Sequence, residues 1–217
     1  MSRPPGIEGA HLWYHIYNRG NEKRVVFHDD DDRNSFLDLL FESAALFAVD
    51  VHSFALMPNH FHLMIATGEA NLCQFMQQFQ NRVIKVYNAR HARVGHVFQD
   101  RYKAIVVDSE EYGSVLSRYI HLNIVRSGTM KTAGVRERLA MLRSYPWSSY
   151  RTYVGHEPSR WPGASPASRV PWQSAQLRTA HCGSDRPSRP SWLLLGNQGR
   201  QALKTTSTNA SRQRQNR

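Results

Sequence analysis

Two histidines one residue apart, His60 and His62, sit inside the mostly apolar run ALMPNHFHLMI. In an extended strand residues i and i+2 point to the same face. The two imidazoles would therefore stand side by side, with Phe61 and Leu63 turned to a core. Neutral imidazole is a common ligand for divalent metals, and two on a rigid strand make half a metal site. Taken alone, so short a motif reads first as two hydrogen-bonded histidines on a half-buried sheet face. A third ligand shifts the balance. In RYIHLNIVRSG, Tyr119 and Asn123 are four apart and share one helical face, with Arg126 near it. If that helix lies over the histidine strand, Asn123 completes a set of two nitrogens and one oxygen, and Tyr119 comes within reach of whatever the metal holds. A tyrosine hydroxyl, with a pKa near 10, is a poor nucleophile at neutral pH. A metal that polarises a phosphate makes such an oxygen workable. Apart from the histidines, the same helix reads as ordinary packing.

The elements that must position these groups can be read along the chain. HLWYHIYNRG is a strand stopped at Gly20. DDDDRNSFLDLLFESAALFAV opens on acids suited to capping, and Phe36, Leu39, Leu40, Ala44 and Phe47 recur at helical spacing. VDVHSFALM and HFHLMIA are strands interrupted at Pro58. NLCQFMQQFQNRVIKVYNARH is an amphipathic helix whose stripe is Leu72, Phe75, Met76, Phe79, Val83, Val86 and Tyr87. GHVFQDRYKAIVV is a strand pair or one long strand. DSEEYGSVLSRYIHLNIVRSG is a helix with acids at its start and Gly128 near its end. The order β-α-β-β-α-β-α predicts an α+β sandwich, a mainly antiparallel sheet with flanking helices. His15 and Tyr17 share a strand face bordering the site, and His15 reads as an ordinary satisfied strand histidine. His121, two residues from Tyr119 on a helix, points elsewhere.

The chain has 217 residues and a formal net charge of +11. Residues 155–217 contribute +8 of it, from ten bases and two acids, in a Pro-, Ser- and Arg-rich texture with little periodicity. Such a segment buries too little apolar area to offset its ordering entropy. The expected division is a folded domain, 1–154, and a basic, largely disordered tail, 155–217. Within the body, Arg82, Lys85, Arg90, Arg93, Arg101 and Lys103 face a single acid, Asp100, over residues 82–103. Clustering of that kind favours a polyanion. Arg101 and Lys103 are candidates for neutralising phosphates and Tyr102 for stacking on an unpaired base, with Arg82 and Lys85 extending the groove. No apolar run approaches twenty residues, so no membrane span is expected. Two distant cysteines, Cys73 and Cys182, make no metal or redox spacing, and a reducing cytoplasm fits.

MPNHFHLMI, RYIHLNIVRSG and PWSSYRTYVG, with YHIYNRGNEKRVVF before them and VGHVFQDRYKAIVVDSEEY between, resemble the IS200-like transposases, and most closely the REP-associated tyrosine transposase branch of the HUH nucleases. The likeness spans about residues 10–155. It implies an RRM-like or ferredoxin-like fold. It implies that His60 and His62 bind Mg²⁺ or Mn²⁺, that Tyr119 is the nucleophile, and that Asn123 stands at the position of the third metal ligand. It implies cleavage of single-stranded DNA beside short hairpins through a 5′-phosphotyrosine link. It further implies action as a monomer or homodimer and a bacterial, nucleoid-associated location. Two positions depart from the family pattern NPVRAG: Ile124 replaces its proline and Ser127 its alanine. Proline ends helices, so here the helix is expected to run on. A binding protein that has lost its chemistry is the alternative on the same fold. An RNA-binding domain is disfavoured, because the Gly-Phe aromatic pattern of such sheets is absent.

Overall fold

A computed structural model of the chain describes residues 8–107, 110–126 and 128–156. The tail expected over 155–217 lies outside the described residues beyond His156, as does the whole of a second unit, Cys182–Arg217.

The elements are β1 (Trp13–Arg19), α1 (Asp30–Leu46), β2 (Val49–Met57), β3 (His60–Thr67), α2 (Leu72–Arg90), β4 (Lys103–Val107), α3 (Glu110–Arg126), α4 (Val135–Ser144) and α5 (Tyr150–Tyr153). Four strands form one sheet in the order β2-β3-β1-β4, with every neighbouring pair antiparallel. This is the expected α+β sandwich, and its strand order is that of a ferredoxin-like β-α-β-β-α-β unit. Strand β1 ends at Arg19, and only glycine fits at the next position: a Cβ at Gly20 would lie 2.2 Å from the Arg24 carbonyl oxygen and 2.8 Å from Val26 Cγ1.

Helices α1 and α2 cover one face of the sheet. Helix α1 starts where Asp29 Oδ1 accepts the Asp32 N–H at 3.0 Å, satisfying one of the helix's orphan donors. Phe36 from α1 meets Phe61 of β3 and Phe79 of α2, each at a centroid distance of 5.0 Å. The predicted α2 stripe is buried except for Val86, which is 39% exposed.

Helix α3 covers the other face, with Leu116, Ile120 and Ile124 in one cluster with Ala55, Met57 and Met64 of the sheet. Ile124 is buried within the helix, which continues to Arg126 as the missing proline predicts. The PWSSYRTYV run closes the outer edge of β2. The Leu56 N–H donates to the Trp147 carbonyl at 2.9 Å, the Phe54 N–H to Ser149 Oγ at 3.0 Å, and the Tyr153 hydroxyl to the His52 carbonyl at 2.5 Å. Covering an edge strand this way removes a template for unwanted pairing.

The strand pair or single long strand expected across residues 95–107 is one short strand. Only Lys103–Val107 pair with β1. The preceding residues form a loop because β1 engages them singly: the Gln99 N–H donates to the Arg19 carbonyl, and Asn18 Nδ2 donates to the Asp100 carbonyl, both at 3.0 Å.

Candidate active site

Register decides what meets on the α3 face. Strand β1 is flanked by β3 and β4, so Tyr17 lies opposite His62 on one side and Lys103 on the other, and Arg19 lies opposite His60. His15 is two residues back on the same face. Helix α3 then brings Tyr119 over this patch. Its ring meets His62 edge-on at 5.5 Å between centroids and His15 at 6.0 Å. The condition set by the sequence, that the late helix cross the histidine strand, is met.

The two histidines of the pair are held differently. His60 is half-buried, and its Nδ1 is 2.7 Å from Asn59 Oδ1. Because a side-chain oxygen accepts there, Nδ1 carries the proton and Nε2 keeps a lone pair. His62 is buried, and its Nδ1 is 2.9 Å from Nε2 of the buried His15. Burial, with a smaller contribution from Arg19, lowers the pKa of His60. Burial, then the neighbouring His15 and His60, holds His62 far below the usual imidazole range. Burial alone takes His15 to about 4. All three rings are therefore neutral at pH 7, the form in which imidazole ligates a metal. The Tyr17 hydroxyl is pushed up by burial and then by the proximity of Tyr119.

A metal fits the donor chemistry of this patch. His60 and His62 can each present Nε2 while Nδ1 is tied to another residue, the arrangement common among ligating histidines. Among the described residues no cluster of three His, Cys, Asp or Glu is poised to hold an ion, so a further protein donor would have to be of another type. Asn123, one turn beyond Tyr119 on the same helical face and partly buried, offers an amide oxygen. Two nitrogens and one oxygen suit Mn²⁺ better than Mg²⁺, which prefers oxygen donors throughout.

The other candidates divide between the two sides of the sheet. Arg126 reaches the site, its Cζ 5.9 Å from the Tyr119 ring centroid. Lys103 is on the site face and lines a cleft of about 430 Å³ beside His60, together with Tyr17, Arg19, Lys23, Asn59 and Gln99. Arg82 is not brought there: it lies on α2, across the sheet, and pairs with Glu42 of α1 at 2.5 Å. Lys85 belongs to the same helix and is likewise on the far side. Arg101 and Tyr102 are in the loop before β4 rather than on a strand. Arg101 is exposed, whereas the Tyr102 hydroxyl donates to Cys73 Sγ at 3.6 Å and the side chain packs against the α1/α2 core. Strand alternation explains the split: Lys103 pairs with Tyr17, and its neighbour Tyr102 turns the other way. His121 points away as expected, buried, with Nε2 2.8 Å from Ser149 Oγ.

Two groups carry more than the sequence assigned them. His15 is bonded to the central histidine, not to an unrelated partner, and Asn59 orients His60. The His15 signal was its shared face with Tyr17; its register against β3 is a long-range fact that a strand pattern does not contain.

A four-stranded antiparallel sheet with helices on both faces is a fold shared with known proteins. The model of the family described as "Transposase IS200 like" matches residues 9–123, from the approach to β1 through Asn123. The chain belongs to the IS200-like transposase family. Among solved structures, a REP-associated tyrosine transposase bound to a REP hairpin is similar over 77% of this chain and 94% of its own, with 14% identity and a TM-score of 0.56. A transposase structure from Deinococcus radiodurans covers 55% of this chain and 95% of its own, at 16% identity and a TM-score of 0.40. No curated protein matches the chain. No helix among the described residues is long and apolar enough to cross a membrane.

Proposed function

We propose that this transposase cleaves and rejoins single-stranded DNA by direct phosphoryl transfer to Tyr119, at a centre formed by His60, His62 and Asn123. The observation that carries the proposal is the edge-on approach of Tyr119 to His62 at 5.5 Å, on a patch that also holds the imidazoles of His15 and His60. A protein that only bound DNA would need no such convergence beneath a helix.

In this reading Tyr119 Oη attacks the scissile phosphorus. The Oη–P bond forms as the P–O3′ bond breaks, the phenolic proton passes to water, and the departing strand keeps a 3′-OH. A divalent cation held by His60, His62 and Asn123 would offset charge on the phosphate oxygens. His60 and His62, kept neutral by burial, supply nitrogen donors without competing for a proton at pH 7. Arg126, beside Tyr119, and Lys103, opposite Tyr17, would contact flanking phosphates, and the cleft beside His60 offers the strand three bases, Arg19, Lys23 and Lys103, against one acid, Asp100. A second 3′-OH attacking the same phosphorus reverses the chemistry and joins strands. The ester bond energy is kept in the phosphotyrosine, so no ATP is needed. The likeness to a REP-associated transposase with a bound hairpin supports hairpin-bearing single strands as substrates and that branch of the family as this protein's own.

The test is covalent capture. Labelled single strands from the flanks of the gene are incubated with the protein, with and without Mn²⁺, and run on a denaturing gel beside Tyr119→Phe and His60→Ala. The proposal expects a Mn²⁺-dependent shifted band lost in both variants. Retardation on a native gel with no covalent band for any hairpin-bearing strand would overturn it.

A further inference from the structure

We infer that His15 is a positioning residue for the candidate metal centre: it accepts a hydrogen bond from His62 Nδ1 and so fixes His62 in the tautomer whose Nε2 is free to ligate. The inference rests on the metal reading of His60 and His62 given above.

The geometry restricts the choices. His62 Nδ1 and His15 Nε2 are 2.9 Å apart, and both rings are buried. A nitrogen engaged in that bond cannot also face a cation, so any metal on His62 must use Nε2. Two tautomer pairs satisfy the bond. In one, His15 Nε2–H donates, which leaves the His62 proton on Nε2 and blocks ligation. In the other, His62 Nδ1–H donates, His15 Nε2 accepts, and the His15 proton sits on its own Nδ1. That nitrogen is buried with no hydrogen-bond partner among the described residues. Either pair leaves that nitrogen without a partner among the described residues, so the far end of His15 does not choose between them, and a cation on His62 Nε2 would select the second. Both pairs hold the same number of protons. Metal uptake would therefore move protons within the pair and release none from it.

His15 is held for this role by its surroundings. It sits on β1 between β3 and β4, opposite Met64 and Ile105. Its ring is 5.1 Å from both Tyr17 and His62, and Tyr119 meets it edge-on. The partner of His60 is a different residue, Asn59, so the two ligands are oriented independently.

The experiment measures metal binding directly, by the electron paramagnetic resonance signal of free Mn²⁺ titrated with wild-type protein, His15→Phe, His15→Gln and His60→Ala. Phenylalanine keeps the ring volume and removes the acceptor; glutamine restores an acceptor oxygen. Loss of an orienting partner of a ligand typically weakens metal affinity 10–100-fold, so about that loss is expected for His15→Phe, with substantial recovery in His15→Gln. Thermal melting of each variant separates this from unfolding. In wild-type protein with Mg²⁺, ¹⁵N shifts should show His62 protonated at Nδ1 and His15 at Nδ1. Mn²⁺ affinity in His15→Phe within twofold of wild type, or no recovery in His15→Gln, would overturn the inference while leaving the centre intact. Wild-type protein that binds Mn²⁺ no better than His60→Ala would overturn the centre itself, and the role of His15 with it.

Discussion

The two faces of one sheet are built to opposite rules. On the α1/α2 face the buried residues are almost all apolar, and aromatic rings interlock through Phe36, Phe61, Phe75 and Phe79. Its main charge cluster lies at the start of α1, where Arg90 clamps Asp29, Asp31 and the buried Asp32. On the α3 face the buried set includes His15, His52, His62, His121, Ser117 and Ser149. Burying such groups costs stability unless each is bonded, and His15 Nδ1 has no partner among the described residues. The apolar face holds the strands in register; the polar face uses that register to hold imidazoles neutral and close together. Strand alternation makes the division possible, since adjacent residues of β3, His62 and Phe61, serve opposite layers.

Single substitutions should break the two faces in different ways. Tyr119→Phe should abolish covalent capture while leaving the melting temperature within a few degrees of wild type, because only a partly buried hydroxyl is lost. Chelation of divalent cations should slow nicking by more than about 10²-fold, the scale of several kcal/mol of charge stabilisation, again with little change in fold. Phe79→Ala, on the other face, should do the reverse. It should cost about 3–5 kcal/mol in chemical denaturation, yet permit capture at temperatures where the variant is folded.

Smaller effects sharpen the contrast. Ser149→Ala removes the acceptor of the Phe54 N–H and the partner of His121, and should cost about 1–3 kcal/mol. The Arg90 cluster should show in acid. Burial alone would raise the Asp32 carboxyl, but the bonds from His91, the His28 N–H and Arg90 together hold it below its usual value. Asp29 is lowered chiefly by Arg90. A carboxylate with a depressed folded pKa stabilises the fold above its unfolded pKa, and that contribution is lost as pH falls through the folded value. Stability should therefore decline below about pH 4, and Arg90→Leu should flatten that limb in pH-dependent denaturation, by less than the Phe79→Ala effect.

Much of this was legible because it is local. The helix stripes, the same-face pair His60/His62 and the i, i+4 pair Tyr119/Asn123 follow from periods of 2 and 3.6, and the stop at Gly20 from glycine as a local breaker. So does the run of α3 through Ile124. What the sequence withheld is pairing between distant segments. Arg82 read as a phosphate contact because its own helix face is polar; that it pairs with Glu42 of α1, across the sheet from the site, depends on how the helices pack. Tyr102 read as a stacking ring because it neighbours two bases, but the strand begins one residue later and its parity sends the ring to the apolar core. His15 read as an ordinary strand histidine because nothing local says which residue of β3 it will meet. The chemistry-bearing residues lay within periodic elements; their supporting partners depended on register.

The most direct test of the central claim is the identity of the residue joined to DNA. The covalent adduct from a Mn²⁺ reaction is digested with nuclease and trypsin and analysed by tandem mass spectrometry. The account predicts a nucleotide remnant on the tyrosine of the peptide YIHLNIVR, Tyr119 to Arg126. An adduct on Tyr17, or on any residue outside that peptide, would contradict it.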